Sequence, residues 1–288
     1  MLENLASLPL SWLASIGGLF GLLVGSFLNV VIFRYPVMLK HSWTSQSKAW
    51  LEIEQDDDAE PPTLSKPASH CGHCKTPIKA YQNIPILSWV LLRGRCAHCK
   101  TPISIRYPLV ELLTALLSAV VVYKFGFSLQ AGFGLLLTWA LVALTFIDFD
   151  HQLLPDDIVI PTLWLGLAIN VMPIYTDTVS SVIGAIVGYL VFWVVFHIFR
   201  LLTGKEGMGH GDFKLMSLLG AWFGWYHLPQ IILVSTLVGS IVGITLMVFK
   251  KATSDLAIPF GPYIAAAGWI AMIWGTDINQ AYFSFIGL

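Results

Sequence analysis

The sequence predicts an all-α polytopic membrane protein of about eight transmembrane helices, with a small zinc-knuckle cytoplasmic domain between helices one and two. Three observations predict it. Of 288 residues, 56% are hydrophobic and 11% charged, whereas globular chains carry about 25% charged residues. The apolar residues gather into uncharged runs of membrane-helix length. All four cysteines lie between Cys71 and Cys99, in two C-x-x-C units. The formal net charge of −1 says little about partners. Lipid is the partner that the composition demands; no nucleic-acid partner is expected, and the sequence specifies no oligomeric state.

In chain order, Leu10 to Phe33 is an uncharged run of 24 residues, enough to cross a hydrocarbon core of roughly 30 Å. It ends at Arg34-Tyr-Pro36, so the first helix is placed at 10–36. No basic stretch precedes it, which reads as a retained anchor instead of a cleaved signal peptide. Residues 37–107 are polar and rich in Lys and Arg, with an acidic segment at 52–60 followed by Pro61-Pro62; they read as the soluble domain. Residues 108–276 form the membrane domain. Its seven helices are expected at 108–123, 129–147, 158–175, 179–199, 213–226, 229–249 and 257–276. Two of these share the uncharged run Leu215 to Phe249, too long for one span. Gly224-Trp-Tyr-His-Leu-Pro229 is its natural break, because proline disrupts a helix interior and glycine suits a cap.

Charge sets the orientation. With the N-terminus outside, 15 of the 16 Lys and Arg fall on the cytoplasmic side and only Lys124 lies outside, which satisfies the positive-inside rule. Both termini are then periplasmic. The helix at 129–147 runs inward, so Asp148 emerges at the cytoplasmic boundary. The helix at 213–226 starts outward from the same side, so Asp212 is expected at the same depth.

The knuckles are Cys71-Gly-His-Cys74 and Cys96-Ala-His-Cys99, with 21 residues between them, and each continues as Cys-Lys-Thr-Pro-Ile. Four thiolates from two tight loops suit tetrahedral Zn²⁺, and a four-cysteine site leaves no open position for catalytic water. Cytoplasmic thiols stay reduced, which argues against disulfides; a redox C-x-x-C rarely comes duplicated. His73 and His98 inside the knuckles are expected to be solvated or hydrogen-bonded and not ligands.

Asp148 closes the uncharged run 129–147, and Asp212 stands in Gly209-His-Gly-Asp212. Taken singly, Asp156, Asp157 and Asp212 read as helix N-caps. Taken as a pair, Asp148 and Asp212 suit acid–base hydrolysis: two neighbouring carboxylates do not both ionise easily, so one accepts a proton while the other donates one. Gly209 and Gly211 remove Cβ from the backbone before Asp212 and allow a close approach. Asp150, two residues from Asp148, points to the opposite helix face. His151 and His210 are near enough to tune the acids or bind metal, and His197 reads as a packing residue. No G-x-S-x-G elbow, H-E-x-x-H, phosphate loop or dinucleotide fingerprint is present. A transporter with a carboxylate relay and a catalytic zinc protease are the rival classes.

Further motifs complete the pattern: Gly25-Ser-Phe-Leu-Asn-Val-Val-Ile-Phe-Arg34, Asn83-Ile-Pro-Ile-Leu-Ser-Trp89, Leu92-Arg-Gly-Arg95, Arg106-Tyr-Pro-Leu-Val-Glu-Leu-Leu113 and Ile147-Asp-Phe-Asp-His-Gln-Leu-Leu-Pro-Asp156. With the knuckles and Gly209-His-Gly-Asp212, in this order, the chain closely resembles the bacterial type IV prepilin peptidases over nearly its whole length. The resemblance implies a GxGD-type aspartic membrane protease with Asp148 and Asp212 as its catalytic pair. It implies cleavage of the basic leader of prepilins and of type II secretion pseudopilins at the cytoplasmic face of the bacterial inner membrane. It also implies transfer of a methyl group from S-adenosylmethionine to the new N-terminal residue, typically phenylalanine, with the cysteine-bearing domain tied to methylation. No residue is assigned to the methyl donor; its site is of a kind other than a Rossmann fold.

Overall fold

The computed structural model describes residues 8–53, 62–205, 207–250 and 258–286. Within these residues every regular element is helical, and extended pairing is confined to two isolated bridges, His70 with Pro77 and Arg95 with Pro102. Five helices are long and apolar enough to cross a membrane, so this is a multi-pass membrane protein. The acidic segment 52–60 lies outside the described residues apart from Glu52 and Ile53. The chain divides into two compact units, Met1–Phe127 and Ser128–Leu288.

The first unit is built on helix α1 (Leu10–Trp50) and helix α3 (Arg106–Phe125), with a 3₁₀ turn (Ala80–Asn83) and the short helix α2 (Leu87–Leu91) between them. The expected end of the first helix at Pro36 is not seen: α1 runs for 41 residues, with Pro36 buried inside it. At about 1.5 Å per residue this is about 60 Å, twice the hydrocarbon thickness. Beyond Pro36 the segment to Trp50 has neither glycine nor proline, so nothing in its backbone chemistry stops the helix.

Gly17, Gly21 and Gly25 form a one-face seam that lets α3 approach closely. A Cβ on Gly17 would come within 2.6 Å of Val122 Cγ2, and one on Gly21 within 2.6 Å of Ser118 Oγ. Close backbone approach at small residues is how apolar helices associate without a hydrophobic gradient between them. Further along, Asn29 Nδ2 donates to the Tyr107 carbonyl at 3.1 Å.

The second unit holds α4 (Leu129–His151), α5 (Asp156–Ile169), α6 (Thr178–Thr203), α7 (His210–Phe223), α8 (Leu228–Lys250) and α9 (Gly261–Ile286). Helix α7 is its core: every residue from Leu215 to Phe223 is buried. Gly184 of α6 meets Gly220 of α7 backbone to backbone, and a Cβ on Gly188 would come within 2.6 Å of the Met216 carbonyl. Ser217 Oγ donates to the Ala185 carbonyl at 2.7 Å. On another side of α7, Trp222 Nε1 donates to the Thr162 carbonyl of α5 at 2.8 Å. The fully buried Asn170 closes the far end, its amide donating to the Ala221 and Trp222 carbonyls at 2.9 Å each.

Each of the eight expected apolar stretches holds a helix, and five of these helices are long and apolar enough to cross a membrane. Helices α5 and α7 have 14 residues apiece, about 21 Å, short of a hydrocarbon core of about 30 Å. A short helix apolar on all sides belongs inside other helices, and α7 is such a helix. The break at Gly224 is as expected: Gly224 caps α7 at φ 78°, and a 3₁₀ turn, Trp225–His227, leads into α8.

Candidate active site and metal centre

Asp148 does not emerge from a helix end. Helix α4 continues to His151, so Asp148 sits in its last turn with its side chain only 5% exposed, while Asp150 is exposed on another face. Gln152, at φ 51°, caps α4 by donating its N–H to the Asp148 carbonyl at 2.8 Å. The chain then turns through Leu153 and the buried Leu154 to Pro155, the N-cap of α5. One carboxylate oxygen of Asp148 accepts from the backbone N–H of Gly261 at 3.0 Å, at the first turn of α9. A Cβ at position 261 would lie 2.6 Å from that oxygen, so glycine is required there.

Asp212 lies in the first turn of α7 and is 6% exposed. Its Oδ2 accepts the N–H of Gly209, the N-cap residue, at 3.2 Å. This carboxylate therefore braces the helix start, as the capping reading expected, though from the third helical position and not from the cap itself. Asp148 is close enough for its charge to act on Asp212. Leu154 fills the space beside both: a Cβ on Gly211 would come within 2.8 Å of Leu154 Cβ, and one on Gly261 within 3.2 Å of Leu154 Cδ2. Neither Oδ1 has a hydrogen-bond partner among the described residues. Two buried acids, each anchored through one oxygen, leave the other oxygens available for water and a peptide carbonyl.

The two glycines before Asp212 differ. Gly211 is held against Leu154, whereas a Cβ on Gly209 would meet only Asp212 Oδ2 at an ordinary 3.5 Å, and its φ of −79° suits any residue. Asp156 and Asp157 lie in the first turn of α5 and not at its cap; Asp156 forms an exposed ion pair with Lys214 at 2.8 Å. His151 and His210 are exposed, and the His210 ring packs at a tilt against Phe196 and Phe213. His197 bonds the Trp193 carbonyl at 2.9 Å and packs on that ring, as a local packing residue should. Sequence reading missed Gly261 and Leu154. Gly261-Pro262 carries a helix-start signal, but nothing in one sequence ties it to an acid 113 residues away.

In the first unit the four cysteines converge: the sulfurs of Cys71, Cys74, Cys96 and Cys99 all lie within 4.8 Å of one another, and none is in a disulfide. A metal ion bound tetrahedrally by sulfur at about 2.3 Å needs sulfurs about 3.8 Å apart, and Cys71 and Cys99 are 3.8 Å apart. The donor set fits such an ion. The sequence repeat is also a structural one. Lys75 and Lys100 both take positive φ, at 56° and 60°. Cys71 N–H donates to the Thr76 carbonyl at 3.0 Å and Cys96 N–H to the Thr101 carbonyl at 2.9 Å. Thr76 and Thr101 hydroxyls lie 3.3 and 3.2 Å from Cys74 and Cys99. The Thr101 hydroxyl pulls the Cys99 thiol down to about 5, and Thr76 lowers Cys74 in the same way. Lowering favours the thiolate, the form that binds metal. His73 and His98 are exposed and outside the cluster.

Comparison with known proteins follows the same division. The model of the bacterial peptidase A24 N-terminal domain matches residues 19–125, and that of the type IV leader peptidase family matches residues 135–244. A prepilin leader peptidase/N-methyltransferase of Stutzerimonas stutzeri is 51% identical over 99% of both chains. One of Pseudomonas aeruginosa is 50% identical over 100% of this chain and 99% of its own. Another, of Legionella pneumophila, is 44% identical over 93% of each. No solved structure gives a significant match. With relatives at half identity along its whole length, and both family models falling on its two units, the chain belongs to the type IV leader peptidase family.

Proposed function

We propose that the chain cleaves the leader peptide of type IV prepilins and type II secretion pseudopilins at the cytoplasmic membrane face. It then N-methylates the exposed residue, typically phenylalanine. The observation that carries the peptidase reading is the pair Asp148 and Asp212, both buried, from separate helices, and electrostatically coupled. The ionised acid takes a proton from water, whose oxygen attacks the scissile carbonyl. The protonated acid donates its proton to the carbonyl oxygen, and collapse of the tetrahedral adduct returns a proton to the leaving amine. Gly261 N–H and Gly209 N–H hold the two carboxylates in place through this cycle. Gly211 lets Leu154 pack directly against the backbone that precedes Asp212.

The functional division follows the charge pattern: 10–36 anchors the chain, 37–107 is the cytoplasmic zinc-binding domain tied to methylation, and 108–276 carries the peptidase in the membrane. Exporting 15 of 16 basic residues would violate the positive-inside rule. Both termini therefore face the periplasm, and the acids face the cytoplasm, in a bacterial inner membrane. Cys71, Cys74, Cys96 and Cys99 hold a structural Zn²⁺ that ties the two knuckles into one fold. S-adenosylmethionine supplies a methyl group activated by a sulfonium, and the new N-terminal amine must be neutral to receive it.

Mass spectrometry of a purified prepilin peptide after incubation with the full-length enzyme tests both activities. Loss of the leader alone is expected without S-adenosylmethionine, and loss of the leader plus one methyl with it. An intact peptide in both arms would refute the peptidase reading; a cleaved but never methylated one would refute the transferase reading.

A further inference from the structure

The first unit holds a cavity of about 720 Å³ walled by α1, the knuckles and the start of α3. That size suits an organic ligand, since such sites run to several hundred Å³. Three of its lining residues are polar side chains more than nine-tenths buried: Asn29, 4% exposed, and Ser88 and Glu111, each 8% exposed. Asn29 Oδ1 is buried with no hydrogen-bond partner, although buried acceptors are nearly always satisfied. Glu111 Oε2 accepts the N–H of Ile86 at 2.6 Å, and the Ser26 hydroxyl also hydrogen-bonds this carboxylate; both are neutral donors. A buried carboxylate without a cation is costly unless a cation arrives.

The backbone that meets Glu111 is itself strained. Ile86, a β-branched residue, sits at φ 57° and ψ −51°, a region such side chains rarely occupy. Strain of this kind collects at ligand sites held by their surroundings. The cavity is also aromatic: Phe33 and Tyr107 stack at 5.2 Å between centroids, and Trp89 donates its indole N–H to the Ile103 carbonyl at 3.2 Å. The carboxylate of Glu111, an unfilled acceptor, flat aromatic walls and the cations Arg34 and Lys79 elsewhere in the lining select a ligand that carries a cationic centre, a planar ring and an anionic group.

We infer that this cavity binds the adenosyl sulfonium methyl donor, with Glu111 holding its cationic end and Asn29 Oδ1 accepting one of its polar hydrogens. The inference rests on the transferase reading above and gives it a place. The two knuckles then form part of the wall of the site, which explains why a structural metal and methylation belong to one unit.

The test uses full-length enzyme in detergent, with S-adenosylmethionine as the probe in equilibrium binding and in ultraviolet cross-linking followed by peptide mapping. Glu111→Gln keeps the size and the acceptor for Ile86 but removes the charge. It is expected to weaken binding about tenfold or more while leader cleavage in the same preparation stays at the parent level. In the unsubstituted protein the cross-link is expected within residues 26–34 or 69–111. Parent-level binding by a cleaving Glu111→Gln enzyme, or a cross-link within residues 128–288, would overturn the assignment. If the variant misfolds, the cross-link map of the unsubstituted protein alone decides. An unsubstituted enzyme that cleaves but binds no S-adenosylmethionine at millimolar concentration would defeat the transferase reading itself, and the cavity assignment with it.

Discussion

Gly261 places its N–H against one oxygen of Asp148, and a Cβ there would meet that oxygen at 2.6 Å. Gly261→Ala is therefore expected to push the acid out of line and to lower the cleavage rate on the order of 10²-fold, with little change in thermal midpoint, because a displacement of about 1 Å at a reacting group has that effect. A rate within twofold of the parent would contradict the geometry. Gly211→Ala drives Cβ into Leu154 and should destabilise by about 1–3 kcal/mol, whereas Gly209→Ala should leave the thermal midpoint unchanged; equal shifts in the two would show that the packing around Asp212 is misassigned. The identities of the acids and cysteines were legible because charge at an apolar boundary and paired C-x-x-C units are local signals. The residues that aim the acids were not, since Gly261 and Leu154 act through contacts between distant segments that no local pattern encodes.

Helices were legible as apolar stretches, and their ends less so. Hydropathy does not distinguish a helix that faces lipid from one that faces other helices, so α5 and α7 read as spans although they are 14 residues long. Proline signals a helix end only where the freed backbone groups have no other support; inside an apolar helix it is tolerated, and α1 runs through Pro36. Glycine has two roles here that thermal melts in detergent would separate. Gly220 meets Gly184 backbone to backbone, while nothing lies within 4 Å of a Cβ on Gly132. Gly220→Ala is expected to lower the midpoint sharply, and Gly132→Ala to hold it or raise it, through a gain in stability of up to about 1 kcal/mol. A harmless Gly220→Ala would contradict the packing of α6 on α7. In the knuckles, Thr101→Val removes the hydroxyl that keeps Cys99 a thiolate down to about pH 5. Because the folded value is depressed, the thiolate contribution is present above the unfolded value and lost as pH falls through about 5. The variant should lose it at higher pH and yield metal to about 10–100-fold less chelator in a competition assay.

At the scale of the molecule, the acids fall in one compact unit and the four cysteines in the other. Stripping metal from the folded enzyme is accordingly expected to abolish methylation while leader cleavage persists. Simultaneous and immediate loss of both would favour a metal that takes part in hydrolysis. The decisive measurement is leader cleavage of a purified prepilin peptide by Asp148→Asn, Asp212→Asn and Asp150→Asn enzymes that purify and melt like the parent. Cleavage should be undetectable with either of the first two and close to normal with the third, because only Asp148 and Asp212 are buried and coupled. Normal cleavage by Asp148→Asn or Asp212→Asn would show that the pair is not the catalytic centre.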